Sequence, residues 1–173
     1  MEVFEAVRTV LAVRQFQEKL VPEPVIRQIV EAAHLTASSR NGQPWHFVVV
    51  ENKDTLRQLG ALAPTGRYLA QASLAIVVGM EASIFAVSDA SRAIQSMMLT
   101  AWAQGVGSNW VGFQNLKQVN SVLGIPEEIE ILAILAFGYP VAALGKGKKN
   151  RKPLGEIAHR ERWGQPFTQA LPE

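Results

Sequence analysis

Cysteine is absent from the 173 residues of this chain. Its absence excludes disulfide bonds, thiol nucleophiles and cysteine metal ligands, and it suits a reducing compartment. Charge is also sparse, with 18% charged residues against 48% hydrophobic ones and a formal net charge of +2. So small a net charge gives little reason to expect a nucleic-acid-binding protein. The apolar excess favours an oligomer, and the length predicts one domain over residues 1–173.

Long hydrophobic runs are missing as well. The longest apolar stretch, residues 131–137, is far shorter than the ~20 residues that a membrane-spanning helix needs. The N-terminus opens with Glu2 and Glu5 and has no apolar run, unlike a signal peptide. We therefore expect a cytoplasmic protein with no membrane association.

Several sequence motifs of well-known enzymes are also lacking. No Gly-x-Gly-x-x-Gly follows a predicted strand, and no phosphate-binding Walker loop or Gly-x-Ser-x-Gly elbow is present. His34, His46 and His159 are scattered, and no two of them have the spacing of metal ligands on one helix. We expect no metal site, no separate dinucleotide-binding domain and no side chain acting as a general acid or base.

Hydrophobic periodicity predicts helices and strands that do not strictly alternate. Helices are expected at residues 2–12, around 26–33, and at 53–62, 85–104, 116–123 and 154–162. Strands are expected at residues 45–50, 74–78, 108–113 and 130–137. This mixture predicts an α+β (mixed α/β) fold in which a helical layer packs on a small sheet.

The most distinctive local feature is Ser38-Ser39-Arg40-Asn41-Gly42-Gln43-Pro44-Trp45, between a predicted helix and a predicted strand. Its hydroxyl and amide groups can hydrogen-bond the edges of a planar polar ring. Composition alone leaves a simple polar turn open as the alternative.

Two basic features invite an anionic ligand. Arg8 and Arg14 lie near the N-terminus, and a later run holds Lys146, Lys148, Lys149, Arg151 and Lys152. Arginine binds phosphate with a planar, bidentate fork, and a short basic loop can neutralise a phosphate. Both features could equally be solvated surface, and the lack of aromatic residues in the second argues against stacking on nucleic-acid bases.

Glycines concentrate in a segment that follows the long predicted helix, Gly105-Val106-Gly107-Ser108-Asn109-Trp110-Val111-Gly112. Glycine lets backbone N–H groups approach a ligand closely. The alternative is a helix cap followed by a tight entry into a strand.

The order of these motifs resembles the FMN-dependent nitroreductase family over roughly residues 3–164. Contributing motifs are Arg14-x-Phe16, the Ser38–Trp45 loop, a long Ala/Met-rich helix, Gly105-x-Gly-Ser-x-Trp110, Leu123-Gly-Ile-Pro126, Gly138-Tyr-Pro140 and Arg151-Lys-Pro-Leu154. The resemblance implies a central, mostly antiparallel sheet flanked by helices, in an intertwined homodimer with FMN at the subunit interface. It also implies ping-pong electron transfer from NADH or NADPH through FMN to an organic acceptor such as a nitroaromatic compound or a quinone.

The resemblance further implies roles for individual residues. Arg14 corresponds to the basic residue beside the flavin pyrimidine edge, where it would support the reduced flavin electrostatically. Ser38, Ser39 and Asn41 correspond to the loop that reaches FMN from the partner subunit, and Gln43 extends that contact. Val111 and Gly112 correspond to the segment that passes the flavin ring, and Lys149 and Arg151 to the pair that binds the FMN phosphate.

Two departures from the family pattern stand out. The family often carries Arg-Arg-Ser where this chain reads Val10-Leu11-Ala12, and a proline where Ala37 stands. Arg8 is a candidate substitute for the missing arginine, and weaker FMN affinity is a hypothesis. Three alternatives stay open: an FMN-binding carrier or sensor without turnover, a specialised flavin oxidase or dehydrogenase, and a nucleic-acid-binding module that uses the basic loop.

Overall fold

A four-stranded sheet organises the chain, whose computed structural model describes residues 1–112, 116–142 and 149–167. The strands are β1 (Trp45–Val50), β2 (Leu74–Met80), β3 (Gly107–Val111) and β4 (Glu130–Gly138). Their spatial order is β1-β2-β4-β3, and every neighbouring pair is antiparallel. The predicted α+β class with a mostly antiparallel sheet is confirmed.

Six helices of the described part of the chain surround this sheet. They are α1 (Val3–Thr9), α2 (Glu23–His34), α3 (Lys53–Leu62), α4 (Ala86–Ala103), α5 (Lys117–Leu123) and α6 (Leu154–Ile157). Two short 3-10 turns lie at Ser39–Asn41 and Arg67–Gln71. Within the described ranges, no helix has both the length and the apolar character that crossing a bilayer requires.

Strand β2 is buried on both faces and divides the core in two. Ile76 and Val78 belong to a cluster with α2 and α4, whereas Ala75 and Val77 belong to one with α3 and α5. Side chains alternate between the faces of a strand, so a strand covered by helices on both sides becomes apolar throughout. The continuous run Leu74–Met80 follows from this layering.

The segment after α1 lies against the outer edge of the sheet. Val13 N donates to Ser108 O at 2.9 Å, and Gln17 N donates to Tyr139 O at 2.8 Å. A Cβ atom placed on Gly107 would come within 2.4 Å of Val13 Cγ2. The missing side chain of Gly107 therefore lets this segment, which carries Arg14, pack directly on β3.

Two helix predictions overshoot at their C-terminal ends. The helix predicted over residues 2–12 stops at Thr9, because Ala12 forms a bridge to Ser108 of β3. The helix predicted over residues 154–162 was wrong beyond Ile157. The chain turns back there, with Phe167 N donating to Ala158 O at 2.8 Å. Pairing with another segment replaces the intrahelical bonds in both cases.

The boundaries of β3 also differ from the sequence expectation. The predicted strand over residues 108–113 begins one residue earlier and ends at Val111. Gly112 follows with a φ of +75°, a left-handed conformation that suits glycine and takes the chain out of the strand. Phe113 lies outside the described residues.

Candidate functional site

Three polar side chains meet beside β3, and we call Arg14, Tyr68 and Asn109 the β3 edge cluster. Asn109 lies on β3 and is 6% exposed, and its amide donates to the hydroxyl of Tyr68. The guanidinium of Arg14, from the segment that packs on β3, lies close enough to this hydroxyl to lower its pKa. The Tyr68 oxygen thus accepts a hydrogen bond from Asn109 beside a cation, and its own O–H can donate.

The protonation state of Tyr68 follows from its surroundings. Burial raises the pKa of Tyr68 above its ordinary value of 10.0, while the bond from Asn109 and the charge of Arg14 act in the opposite direction. Burial is the larger effect, because removing water disfavours the phenolate. At neutral pH, Tyr68 is therefore a neutral hydrogen-bond donor held beside a cation.

Two cations lie close together near α1, and we call Lys149 and Arg151 the basic pair. Lys149 Nζ donates to the backbone oxygen of Val7 at 2.7 Å. Burial, and secondly the charge of Arg151, lower the pKa of Lys149. Among the ion pairs that join described residues, none includes Lys149, Arg151 or Arg14. Cations that repel each other without a nearby carboxylate suit an anionic ligand.

Arg8, the predicted substitute for a missing phosphate-binding arginine, is engaged elsewhere. Its guanidinium donates to the carboxylate of Glu5 at 2.7–2.9 Å, and both side chains are substantially exposed. Such surface pairs contribute little free energy, so an anion could displace Glu5 at small cost. The role of Arg8 stays a prediction.

Residues 38–43, which we call the amide loop, are attached by hydrogen bonds to the first turn of α4. Ser39 N and Ser39 Oγ donate to the carboxylate of Asp89 at 2.9 and 3.0 Å. Ser38 Oγ accepts from Gln43 N at 3.0 Å inside the loop. The side chains of Asn41 and Gln43 are exposed, and Gln43 Nε2 donates to the backbone oxygen of Asn41 at 3.2 Å. The Asn41 amide and the Gln43 amide oxygen therefore face solvent, where a ligand or another chain can reach them.

Helix α4 separates the amide loop from the β3 edge cluster. The loop is anchored near the N-terminal end of α4, whereas β3 begins directly after its C-terminal end. From Asp89 to Ala103 the helix rises about 20 Å, at ~1.5 Å per residue. Consistently, β1 and β3 form opposite edges of the sheet, roughly 14 Å apart at the usual strand spacing.

The predicted site residues thus fall into two groups. Around β3 and the N-terminal segment lie Arg8, Arg14, Val111, Gly112, Lys149 and Arg151. At the other end of α4 lie Ser38, Ser39, Asn41 and Gln43. Val111 is buried and Gly112 half-buried at the end of β3, with backbone rather than side-chain groups to offer. One chain does not bring the two groups together.

Sequence reasoning missed Tyr68, Asp89 and Arg92. Tyr68 belongs to no recognised motif, and its position beside Asn109 arises only when the 3-10 turn packs against β3. Asp89 did carry a signal, because a carboxylate interrupts the small apolar residues of a buried helix face that includes Ala90 and Ala93. An acid at such a position needs buried donors, and the preceding polar loop could have supplied them.

The chain is similar to proteins of one known family. The sequence profile of the Nitroreductase family matches residues 8–78 and 63–139. A relative from Methanothermobacter thermautotrophicus, provisionally named NADH dehydrogenase/NAD(P)H nitroreductase, is 32% identical over 172 residues, covering 94% of this chain and 88% of the relative.

Two solved structures share the fold. A provisionally named NADH dehydrogenase/NAD(P)H nitroreductase from Bacteroides thetaiotaomicron superposes with a TM-score of 0.85 at 26% identity, covering 93% of this chain and 98% of that one. A provisionally named nitroreductase from Desulfovibrio desulfuricans, solved in complex with FMN, has a TM-score of 0.80 at 26% identity and covers 94% and 98%.

Proposed function

Because the chain belongs to the nitroreductase family, we propose that it is an FMN-dependent oxidoreductase that draws electrons from NADH or NADPH and delivers them to an organic acceptor. The family prediction made from the order of motifs is confirmed by the sequence profile and by the relative at 32% identity. Nitroaromatic compounds and quinones are the acceptor class that we propose.

The basic pair fits the phosphate of FMN. Lys149 and Arg151 lie close enough for the charge of Arg151 to lower the pKa of Lys149, and no described carboxylate forms an ion pair with either. A phosphate would compensate both charges through charge-assisted hydrogen bonds. FMN held there would supply the chemistry of hydride and electron transfer between a nicotinamide donor and an organic acceptor.

The β3 edge cluster supplies positive charge and a proton-bearing hydroxyl beside that ring. Arg14 has no carboxylate partner among the described residues, so its charge is available to stabilise negative charge that develops on a ligand. Tyr68 and Asn109, which are joined by a hydrogen bond, lie beside the guanidinium. The protein would thus contribute orientation and electrostatics.

The observation that carries the proposal of a shared site is the separation of about 20 Å along α4. A second copy of the chain could bring its amide loop to the basic pair and the β3 edge cluster of the first. Large apolar side chains are exposed on α1, before α4 and at the C-terminal end; they include Phe4 (76%), Ile84 (91%) and Trp163 (90%). Exposed apolar surface of this kind favours a homodimer with two FMN sites at its subunit interface.

Donor and acceptor would then use one cavity in turn. Among the described residues, one four-stranded sheet carries the candidate flavin ligands, so both substrates would reach the same flavin ring. Sequential use of one ring face predicts a ping-pong mechanism, in which the first product leaves before the second substrate binds.

The deciding experiment is the visible absorbance spectrum of the purified protein, followed by anaerobic addition of NADH and of NADPH. We expect flavin absorbance that bleaches with at least one donor and returns when a quinone or nitroaromatic compound is added. Absorbance that persists with both donors would contradict the oxidoreductase assignment and favour an FMN carrier.

Initial rates test the order of steps. We expect parallel lines in double-reciprocal plots of rate against donor concentration at several fixed acceptor concentrations. Intersecting lines would reject ping-pong transfer. Sedimentation equilibrium of the same preparation tests the homodimer, and a monomer that holds FMN would reject the shared site.

A further inference from the structure

The backbone of the amide loop is strained. Arg40, Asn41 and Gln43 have φ values of +54°, +56° and +47°, in the left-handed region that residues with a side chain rarely adopt. Such conformations persist only where the surroundings enforce them. Bonds inside the loop close the turn, with Asn41 N donating to Ser38 O and Gln43 N to Ser38 Oγ. The position of the turn on the protein depends on what anchors it from outside.

Asp89 is the group that reaches the loop from outside. Its side chain is 1% exposed, and its carboxylate accepts hydrogen bonds from Ser39 N at 2.9 Å and from Ser39 Oγ at 3.0 Å. Arg92, one turn along α4, donates to the same carboxylate and to Ser39 Oγ at 3.3 Å. Ser39 thus supplies two of the donors that a buried carboxylate requires.

This network is more specific than a favourable charge at a helix start. An acid in the first turn interacts with the helix dipole wherever its side chain points. Asp89 instead turns both oxygens onto neighbouring donors, with one oxygen on Ser39 N and the other on Ser39 Oγ and Arg92. Bonds to the backbone and the side chain of one residue fix the position and the orientation of the loop at that point.

We infer that Asp89 is a positioning residue for FMN, and that it acts through Ser39 to hold the exposed amides of Asn41 and Gln43 in the arrangement that binds the flavin. This inference rests on the proposed function. It assigns to α4 a task beyond packing, since the helix that separates the two halves of the site also sets the shape of one of them.

The chain offers a matched control. Asp54 and Arg57 form another acid–arginine pair three residues apart at the start of a helix, but the side chain of Asp54 is 78% exposed and contacts no loop of the candidate site. Asp89→Asn keeps the size of the side chain and places an amide donor against donors. Asp54→Asn removes the same charge from the equivalent pair on α3.

FMN affinity, measured by quenching of flavin fluorescence on addition of apoprotein, is the first readout. We expect Asp89→Asn to raise the Kd for FMN about tenfold or more, because small displacements of positioning groups have large effects on a bound ligand. We expect Asp54→Asn to leave the Kd unchanged. An unchanged Kd in Asp89→Asn, with or without a lower Tm, would overturn the inference.

Relief of strain gives a second readout that a purely structural role would not move. Arg40→Gly removes a side chain from a left-handed position. In combination with Asp89→Asn, it should recover part of the lost FMN affinity, because glycine adopts the left-handed conformation without strain and the loop then depends less on the bonds from Asp89. A double variant that binds FMN no better than Asp89→Asn alone would contradict the positioning role.

Hydrogen–deuterium exchange separates failure of this inference from failure of the proposed function. We expect faster exchange across residues 38–43 in Asp89→Asn than in Asp54→Asn, in apoprotein and without any ligand. Unchanged exchange would overturn the inference whether or not FMN binds. If the wild-type chain takes up no FMN at all, the proposed function fails and the flavin role of Asp89 fails with it.

Discussion

Near β3 and α1, the cations have neutral neighbours: Arg14 lies beside the Tyr68 hydroxyl, and Lys149 donates to the Val7 carbonyl. At the start of α4, the amide loop is tied instead by the buried carboxylate of Asp89. A cation held by a neutral group keeps its charge for a ligand. A carboxylate whose oxygens already accept hydrogen bonds from internal donors cannot bind a ligand directly, but it fixes the backbone around it.

The two regions would therefore contribute differently to a binding site, the first through charge and the second through geometry. The lowered pKa of Lys149 reflects positive charge that burial and Arg151 make less favourable, and a bound anion would relieve it. The exposed side chains of the amide loop, Asn41 and Gln43, are neutral. They would bind a ligand only through hydrogen bonds, whose strength depends on orientation. Loss of charge should therefore damage the first region most, and loss of geometry the second.

The largest effect should come from removing the basic pair. In the double variant Lys149→Ala/Arg151→Ala, we expect the Kd for FMN to rise on the order of 100-fold, because each charge-assisted hydrogen bond contributes about 1.5–3 kcal/mol. Fluorescence titration at two salt concentrations measures it, and the salt dependence should shrink. Lys117→Ala, at an exposed position on α5, is the control; an equal loss there would refute a specific phosphate site.

Mixing two defective chains tests whether the two regions meet across an interface. One chain carries Lys149→Ala/Arg151→Ala, and the other carries Asn41→Ala/Gln43→Ala. If the amide loop serves the site of the partner, refolding the two chains together should give mixed dimers in which one of the two sites has both regions intact, so FMN binding should return at that site. Titration of the mixture against each parent measures this recovery, and its absence would argue that each site is built by one chain.

Substitution of Gly107 should loosen the β3 edge without touching a polar group. In Gly107→Ala, the new methyl group meets Val13 at 2.4 Å, so the segment that carries Arg14 must move. We expect a loss of roughly 1–2 kcal/mol in the free energy of unfolding, as for other overpacked sites. Urea denaturation measures it. Gly155→Ala, whose methyl group meets only Pro166 at 3.7 Å, should be nearly neutral.

The smallest effect concerns the Tyr68 hydroxyl. Since burial raises the pKa of Tyr68 above 10.0, the folded state retains this proton to higher pH than the unfolded state. The contribution to stability is complete below the unfolded pKa and is lost as pH rises through the folded one. Tyr68→Phe should therefore show a weaker alkaline decline in stability.

Spectrophotometric titration of tyrosinate provides the check. The chain has two tyrosines, so the difference between wild type and Tyr68→Phe isolates the ionisation of Tyr68. A difference curve centred at or below 10.0 would contradict the burial that the structure assigns to this hydroxyl.

Prediction from sequence succeeded where local pattern and packing agree. The strand at residues 45–50 and the helix at 53–62 have the predicted bounds, and the apolar run beginning at Leu74 is a central strand, as expected. Periodicity records which face of an element is buried, and helices on both sides of β2 account for its unbroken apolar run. Prediction failed at residues 10–12 and 158–162, where pairing with a distant segment replaced the helix.

The candidate site divides in the same way. The amide loop, the basic pair and Arg14 were identified from residue types and from the order of motifs, and their roles as FMN ligands stay predictions. Tyr68 and Asp89 escaped notice because their importance depends on what they touch. Asp89 lies 50 residues from Ser39 along the chain, and Tyr68 lies 41 residues from Asn109.

Sequence by itself determined the family, the α+β class and the chemical character of each site segment, since these depend on composition, periodicity and the order of motifs. Tertiary structure alone decided that a buried carboxylate holds the amide loop, that a neutral phenol lies beside Arg14, and that α4 keeps the two regions about 20 Å apart. The physical reason is that hydrogen bonds and burial depend on distance in space. A linear pattern records residue type and spacing, but not which distant groups will share a buried contact.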